Sequence, residues 1–521
     1  MVRINKHIMD IQTQNSSNKR IAINTLLLYG RMLFLMAISL FTSRINLQSL
    51  GVEDFGIYNV VGGVVASFSI ISGALGVAIS RNITIEIGKG DLQKLNKVFS
   101  MSINIQLLIG LVVMLIAETI GIWFLNTQMV IPTDRIMAAN WVFQFSLVSF
   151  LIDLLSVPYN ASIIAHESMS AFAYISIIEA ALKLAIAYSL YISPIDKLVS
   201  FGFLLMCVSL LVRFIYGIYC KQKFKECTYH FTKDKELFKY MTTFAGWTMF
   251  GNMAVVGYTY GLNIILNLFF GPSVNAARGI AVQVQQAIQR FCTNFQMALN
   301  PQIMKNYASG NIERMHSLVF ASSKYSYFLL FFLSLPVMIE SKEILHIWLG
   351  VVPEHTVNFM RLILVIIVVE AIANPLTIGA QANGNIKTYQ ITVGGMMIAI
   401  LPISYIILKL GATPESVFVV HLSIILLAQV IRLLFMRKMI NLSLRQYAKD
   451  VIIPICSVSI ISVIAPLLVF SYMQEGVLRL ISVCVVSIVS IAITTYMLGL
   501  RRNERQVINK KISNIINSIK R

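Results

Sequence analysis

The chain has 521 residues, of which 57% are hydrophobic and only 12% are charged, and its mean hydropathy is +0.75. Soluble proteins are about one quarter charged, and a soluble fold of this length could not bury so much apolar surface. The net charge of +19 would suit a nucleic-acid-binding protein, so the location of the cations along the chain decides what that charge means.

The apolar residues fall in blocks of about 20 residues separated by polar breaks, which is the length of a helix that crosses a bilayer. Lipid offers the backbone no hydrogen-bond partner, so spans are helices or closed barrels, and stretches such as 107–117 lack the alternation of barrel strands. We therefore predict an all-α polytopic membrane protein with about fourteen transmembrane helices. The expected spans lie near 21–42, 55–80, 98–126, 136–158, 170–192, 198–219, 241–269, 273–301, 318–339, 357–380, 388–409, 414–435, 450–471 and 477–500.

The basic residues lie mostly on one side of these spans. The loops on the side of the N-terminus carry 28 lysines and arginines, whereas the loops on the other side carry 4, or 7 with the residues at span edges. Cytoplasmic loops carry such an excess, so both termini are expected in the cytoplasm and no nucleic-acid partner is needed. Residues 1–20 have no short apolar core with a cleavage site, so no removable signal peptide is expected.

The two halves of the chain resemble each other at an offset of about 220 residues. Residues 29–32 align with 250–253, Gly51 with Gly271, and Gly90 with Gly310. Six spans separate equivalent points, which predicts two parallel six-helix lobes around a central cavity, although chance similarity between apolar sequences is the alternative. The predicted organisation is a cytoplasmic tail (1–20), a first lobe (21–219), a basic cytoplasmic linker (220–240), a second lobe (241–435), two further spans (436–500) and a basic cytoplasmic tail (501–521).

Ionisable residues at membrane depth are costly, so they are expected to face a bundle interior or a hydrated cavity. Arg31 lies in the first span, and Glu179 and Lys183 stand four residues apart on the fifth. An internal ion pair explains the latter two as well as ion coupling does. For the residues nearer span ends, a side chain that reaches out to the interface is the more ordinary interpretation. These residues are Glu118, Asp153, Lys324 and Arg432.

The eighth span carries a polar stripe. Arg278, Gln285, Gln289 and Gln296 follow one another at intervals of 7, 4 and 7, and Arg290 lies beside them. One interpretation is that the stripe forms hydrogen bonds between helices. We favour the other, that it lines a hydrated cavity to which Tyr29 and Asn252 also contribute polar groups. A cavity with more guanidinium than carboxylate suits an anionic substrate, since the guanidinium group fits phosphate oxygens.

Enzymatic and metal-dependent functions find little support in the sequence. The six cysteines form no CxxC pair, and His166-Glu167 has no second histidine or cysteine at ligand spacing, so neither disulfides, metal sites nor cofactors are expected. A phosphate-binding GxxxxGK[ST] loop is absent, and no large loop could hold a catalytic site. We therefore predict a transporter and not an enzyme, with a membrane-embedded glycan polymerase or transferase as a weaker alternative.

Residues 50–58 read Leu-Gly-Val-Glu-Asp-Phe-Gly-Ile-Tyr, and Pro158-Tyr159-Asn160 is followed by an Ala165-His166-Glu167 turn. On these motifs the chain, over about residues 20 to 500, resembles the Wzx-type polysaccharide and O-antigen flippases of the multidrug/oligosaccharidyl-lipid/polysaccharide (MOP) superfamily. The first motif matches the LG-x-x-xFG-x-Y pattern that is typical of such proteins. The alternative within the same superfamily is a multidrug or cation antiporter, which prefers acidic cavity residues.

The resemblance implies a protein of the bacterial inner membrane that flips an undecaprenyl-diphosphate-linked oligosaccharide to the periplasmic leaflet by alternating access. The glycan would be a unit of O-antigen, lipopolysaccharide, capsule or exopolysaccharide. A proton or sodium gradient, or consumption of the product downstream, would drive transport. The expected partners are polysaccharide polymerase and chain-length proteins. In the related lipid II flippases, cavity arginines hold the diphosphate, which implies that role for Arg31 and Arg278. The arginine of the second span in those relatives has no counterpart here between Phe55 and Ser80.

Overall fold

The computed structural model describes residues 2–66, 68–127, 129, 131–192, 196–502, 504–506 and 509, and these contain helices and loops but no β-strand. The helices are α1 (Val2–Ala66), α2 (Ser69–Lys89), α3 (Leu92–Ile116), α4 (Ile122–Thr127), α5 (Ile136–Ala165), α6 (Met169–Ser189), α7 (Lys197–Lys223), α8 (Lys235–Phe270), α9 (Pro272–Ala308), α10 (Ile312–Ile339), α11 (Ser341–Leu349), α12 (Thr356–Glu370), α13 (Ala373–Asn383), α14 (Lys387–Lys409), α15 (Ser416–Ile440), α16 (Leu444–Tyr447), α17 (Ile453–Tyr472) and α18 (Val477–Thr494). The predicted all-α polytopic membrane architecture is confirmed.

Twelve helices in the described part of the chain are long and apolar enough to cross a membrane. The sequence predicts about fourteen spans, and the two expected spans outside the twelve are the second (55–80) and the eighth (273–301). The second is interrupted near Phe68, between α1 and α2, while the eighth corresponds to α9 with its arginines and glutamines. Hydropathy alone therefore does not mark these two segments as spans.

The chain packs as two compact units. The first contains the residues up to Asn252 together with Met304–Gly310, and the second contains Met253–Ile303 and the residues from Asn311 onwards. The boundaries consequently fall inside α8 and α9. Helices α17 and α18 pack against each other and against α10, so the two additional helices belong to the second unit.

Equivalent glycines of the two halves have nearly the same φ angle. Gly51 and Gly271 have φ angles of 81° and 80°, and Gly90 and Gly310 both have 76°. L side chains rarely adopt these left-handed angles, so glycine suits all four positions. After the second pair, the Asp91 side chain caps α3 and the Asn311 side chain caps α10. Residues that match in sequence thus perform the same local structural task in each unit.

The predicted linker lies against the first unit. Its residues 226–232 run along α3, where Asn96, Ser100 and Asn104 hold their backbone through hydrogen bonds of 2.9 to 3.1 Å. These three side chains are spaced four residues apart, so they share one face of the helix. The lysines of the 220–240 linker are exposed, which agrees with a solvated basic face.

Candidate functional site

In the first unit, Arg31 lies on α1 and is half-buried. Its guanidinium carbon is 4.3 Å from the centroid of the Phe172 ring, a cation–π contact. The buried Nε has no hydrogen-bond partner among the described residues, and the carboxylate that acts on the guanidinium is that of Glu179. Tyr29, predicted to lie beside it, is half-buried on the same helix. Arg31 therefore combines a positive charge with an incompletely satisfied guanidinium.

The two candidate ion-coupling residues contact each other. The Lys183 ammonium lies 2.6 Å from a carboxylate oxygen of Glu179, so the i,i+4 spacing on α6 forms the internal ion pair that was one of the two expectations. Asp153 on α5 acts electrostatically on Lys183. With Arg31, these groups form a line of alternating charge within the first unit, and its formal charges cancel.

In the second unit, Arg278 on α9 is only 6% exposed. Its guanidinium donates to the Asn263 side-chain oxygen and, at 3.0 Å, to the Thr259 carbonyl, while Nε has no partner among the described residues. Both acceptors are neutral, and no ion pair joins Arg278 to a carboxylate within the described part of the chain. The charge of this arginine is solvated by dipoles and is not neutralised.

Further buried polar groups surround Arg278. The Tyr258 and His421 rings pack edge to face with centroids 4.8 Å apart, and both side chains lie in the electrostatic field of the guanidinium. Glu370 at the end of α12 has Arg432 as its nearby opposite charge, but Nε and Nη1 of Arg432 have no hydrogen-bond partner among the described residues. Cations therefore outnumber carboxylates in this interior.

The polar stripe of α9 divides into two parts. Arg290 is exposed, and Gln285 and Gln289 are half-buried with a side-chain contact of 3.4 Å between them. Gln296 is buried, and its amide donates to the Ser326 hydroxyl at 2.9 Å and to a backbone carbonyl, that of Ala371, at 3.0 Å. Gln296 thus joins α9 to neighbouring helices inside the second unit and does not border open space. Asn252 is exposed on α8.

The motif residues that indicated the family resemblance make structural contacts. Asp54 of the 50–58 motif forms an ion pair with Arg135, which also bonds Asp196 at 2.5 Å. Glu167 of the second motif has a left-handed φ of 58°, and its carbonyl accepts a hydrogen bond from Asn24 at 3.2 Å. Asp54 and Glu167 therefore hold helix ends together in this chain.

Sequence reasoning missed several residues of the first unit. Thr42 and Asn46 border a cavity with Asp153 and Lys183, yet a single threonine or asparagine in an apolar helix carries no distinctive signal. Asp54 and Arg135 are 81 residues apart, so no local pattern links them. Groups of three or more histidine, cysteine, aspartate or glutamate side chains that could hold a metal ion are not found among the described residues.

Known structures share this fold. The outward-facing conformation of a multidrug resistance MATE family transporter of the MOP superfamily matches 82% of this chain and 96% of its own, with a TM-score of 0.69 and 14% identity. A MATE structure in complex with MaD3S gives 0.70 with the same identity and coverage. A MOP superfamily transporter from Pyrococcus furiosus, for which reverse polarity of the binding pocket is said to suggest a different function, gives 0.68 at 14% identity, again over 82% and 96%.

The likeness to these transporters is structural. No protein-family model matches the sequence, and no curated protein matches it either. At 14% identity the similarity establishes the fold, which is that of the MATE transporters of the MOP superfamily. The chain is therefore a multi-pass membrane protein with a transporter fold.

Proposed function

We propose that the protein flips an undecaprenyl-diphosphate-linked oligosaccharide across the bacterial inner membrane by alternating access. The observation that carries this proposal is the state of Arg278, which is buried and hydrogen-bonded only to neutral groups. A buried charge without a counter-ion costs several kcal/mol, so a bound anion would stabilise it. A diphosphate supplies that anion, and its oxygens match the geometry of the guanidinium donors.

Two other cations support the same conclusion. Arg290 is exposed on α9, one residue beyond Gln289, and Arg31 presents a half-buried guanidinium in the first unit. Neither has an ion pair with a carboxylate within the described part of the chain. We assign Arg278 and Arg290 of the second unit to the recognition of the diphosphate, with Gln285 and Gln289 as hydrogen-bond donors to the head group. Arg31 is a separate cation of the first unit.

The fold neighbours are transporters, which fits transport without a chemical reaction. One of them is described through the reverse polarity of its binding pocket and a different function that this suggests. In this chain, an excess of arginine over carboxylate is the opposite of what a transporter of organic cations needs. We therefore infer that this chain transports an anionic substrate. In this proposal both termini lie in the cytoplasm and membrane lipid surrounds the protein. Polysaccharide polymerase and chain-length proteins are its proposed partners.

Ion coupling in this proposal involves the Glu179–Lys183 pair. A proton or sodium ion that reaches Glu179 would compete with the Lys183 ammonium for its carboxylate, 2.6 Å away. The released ammonium would then face Asp153. This exchange would connect a cation gradient to the charge balance of the first unit.

The decisive experiment is complementation in a bacterial strain that lacks its own flippase. The wild-type chain should restore surface glycan, whereas Arg278→Ala should not at equal expression, and Arg278→Lys should restore part of it because it keeps the charge without the planar donors. Arg437→Ala is the matched control, since Arg437 is exposed in the last turn of α15. Normal glycan export by Arg278→Ala would refute the proposed role of this arginine.

A multidrug antiporter is the second candidate, because structures with the same fold are described as multidrug resistance transporters. The cancelled charges of the first unit are compatible with it. Vesicles that contain the purified protein should then export a cationic dye against a proton or sodium gradient. Dye efflux without any glycan complementation would replace the flippase proposal with this one.

A further inference from the structure

A cavity of about 370 Å³ lies inside the first unit. It is bordered by α1 on both sides of Gly51 and by α5, α6 and α7. Small-molecule pockets span roughly 300 to 1,000 Å³, so this cavity has room for a ligand of the smallest class. Its polar lining includes Thr42, Asn46, Tyr58, Asp153, Lys183 and Ser209.

The charges of the cavity wall favour a neutral ligand. Lys183 and Asp153 both border the space, and the Lys183 ammonium is held by Glu179 at 2.6 Å. A cationic ligand would be repelled by the ammonium, and an anionic ligand by the two carboxylates. The Asp153 carboxylate borders the cavity and has acceptor capacity for hydroxyl groups.

Two buried acceptors in the wall have no partner. Asn46 is only 9% exposed, and its side-chain oxygen makes no hydrogen bond within the described part of the chain. The hydroxyl oxygen of Thr42, one helical turn earlier, also makes no hydrogen bond among the described residues. An apolar ligand would leave both unsatisfied, whereas a ligand with several hydroxyl groups would donate to them once the side chains turn these oxygens into the cavity.

Aromatic rings complete the wall. The rings of Tyr58 and Phe201 pack edge to face with centroids 4.7 Å apart, and Phe150 also borders the cavity. Their faces and edges offer apolar contact area next to the hydroxyl and amide groups. A sugar ring has the matching chemistry, since hydroxyl groups project from its rim and C–H groups cover its faces.

We infer that this cavity is a binding subsite for a single neutral sugar ring, held by Asn46, Thr42 and Asp153 and packed against Tyr58 and Phe201. The inference rests on the proposed function for the source of the sugar, which would be one residue of the transported glycan. The subsite lies within the first unit and is separate in chemistry from the arginines assigned to the diphosphate.

The test measures sugar binding directly on the purified full-length chain in detergent. The probes are glucose, galactose, rhamnose and N-acetylglucosamine, followed by saturation-transfer difference NMR. Gly62 borders the cavity and an added Cβ there meets nothing within 4 Å, so Gly62→Leu should fill the space without a backbone clash and abolish binding. Gly395 on α14 has equally open surroundings, so Gly395→Leu is the matched control and should bind like wild type.

A second variant, Asn46→Ala, tests the subsite even if Gly62→Leu does not fold. Asn46→Ala removes one acceptor and should weaken sugar affinity about tenfold. Absence of saturable binding for every probe, or unchanged binding in Gly62→Leu, would overturn the subsite. Saturable binding of tetraphenylphosphonium that Gly62→Leu abolishes, without sugar binding, would also overturn it and would favour the antiporter.

The two proposals fail in different ways. Complementation by the wild-type chain without sugar binding in vitro would leave the flippase function standing and remove the subsite. Sugar binding that depends on Gly62 and Asn46 without complementation would retain the subsite and remove the flippase function. Both readouts use the same wild-type chain, so each result assigns the failure to one proposal.

Discussion

Arg479 and Glu340 form a bidentate ion pair in the second unit, with Nε of Arg479 2.8 Å from Oε1 of Glu340 and Nη2 3.0 Å from Oε2. Their side chains are 6% and 0% exposed, and the guanidinium also lies 4.4 Å from the Phe470 ring centroid. The pair joins the start of α18 to the junction of α10 and α11. It is therefore a buried ion pair that helps to tie the two additional helices to the unit.

Removal of one partner should destabilise the protein strongly, because the other charge would stay buried without compensation. We expect Arg479→Ala to lower the free energy of unfolding by about 3 to 5 kcal/mol. The double variant Arg479→Met with Glu340→Met should recover most of this loss, since it removes both charges. Thermal unfolding in detergent measures the effect, and equal losses in the single and double variants would contradict the explanation.

The contact between Arg135 and Asp196 predicts a pH dependence of stability. Burial raises the pKa of Asp196, but hydrogen bonds from the Val199 amide and from Arg135 outweigh burial and hold the pKa below its ordinary value. Its contribution to stability is therefore complete above the unfolded pKa of about 3.9 and is lost as the pH falls through the lower folded pKa.

Accordingly, Asp196→Asn should lower the melting temperature at pH 7, and the difference from wild type should shrink below about pH 4. Glu354, whose side chain is 90% exposed, supplies the control Glu354→Gln, which should leave the melting temperature unchanged at each pH. A difference between Asp196→Asn and wild type that stays constant down to pH 2.5 would exclude the ion-pair explanation.

Gly88 marks a close approach between helices of the first unit. A Cβ at this position would lie 2.9 Å from the Ala308 Cβ and 2.9 Å from the Lys305 carbonyl oxygen. A backbone atom cannot move aside as a flexible side chain can, so Gly88→Val should force α2 away from the end of α9. We expect a loss of about 1 to 3 kcal/mol in unfolding free energy, together with reduced transport.

The control for this position is Gly246→Val on α8, where an added Cβ meets nothing within 4 Å. Both positions lie within helices, so the cost of a β-branched residue is similar in each. Measurement of unfolding in detergent and of glycan export should separate the two variants. Similar behaviour of both would show that the contact at Gly88 is unimportant.

Gln296 and Gln285 lie on the same polar stripe and should respond differently to substitution. Gln296→Ala would leave the Ser326 hydroxyl and the Ala371 carbonyl without their buried donor, at a cost of about 1 to 3 kcal/mol. Gln285→Ala should change stability little and should instead weaken transport. Thermal unfolding and complementation, measured on both variants, test this division, and the reverse pattern would contradict it.

The surroundings of the charged residues near span ends could not be predicted from the sequence. Their position favoured side chains that reach out to the interface, yet Lys324 is 2% exposed and pairs with Glu504 at 2.7 Å. Asp153 borders a cavity, and Glu118 accepts a hydrogen bond from Gln144 at 3.2 Å. The interpretation was wrong for Lys324 and for Arg432, which is 7% exposed, because distant segments of the chain cover both side chains. Asp153 is exposed, so the interface interpretation stays a prediction for it.

The membrane class, the helical architecture and the equivalence of Gly51 with Gly271 and of Gly90 with Gly310 could all be predicted from the sequence. These features depend on local composition, on the length of apolar blocks and on backbone angles that favour one residue type. Which charges are neutralised depends on long-range packing and could not be predicted. Glu340 and Arg479 are 139 residues apart and meet, whereas Arg278 meets only neutral acceptors, and no local pattern distinguishes the two arginines. Packing brings opposite charges together or keeps them apart, and that choice turns similar arginines into a structural contact and a candidate binding group.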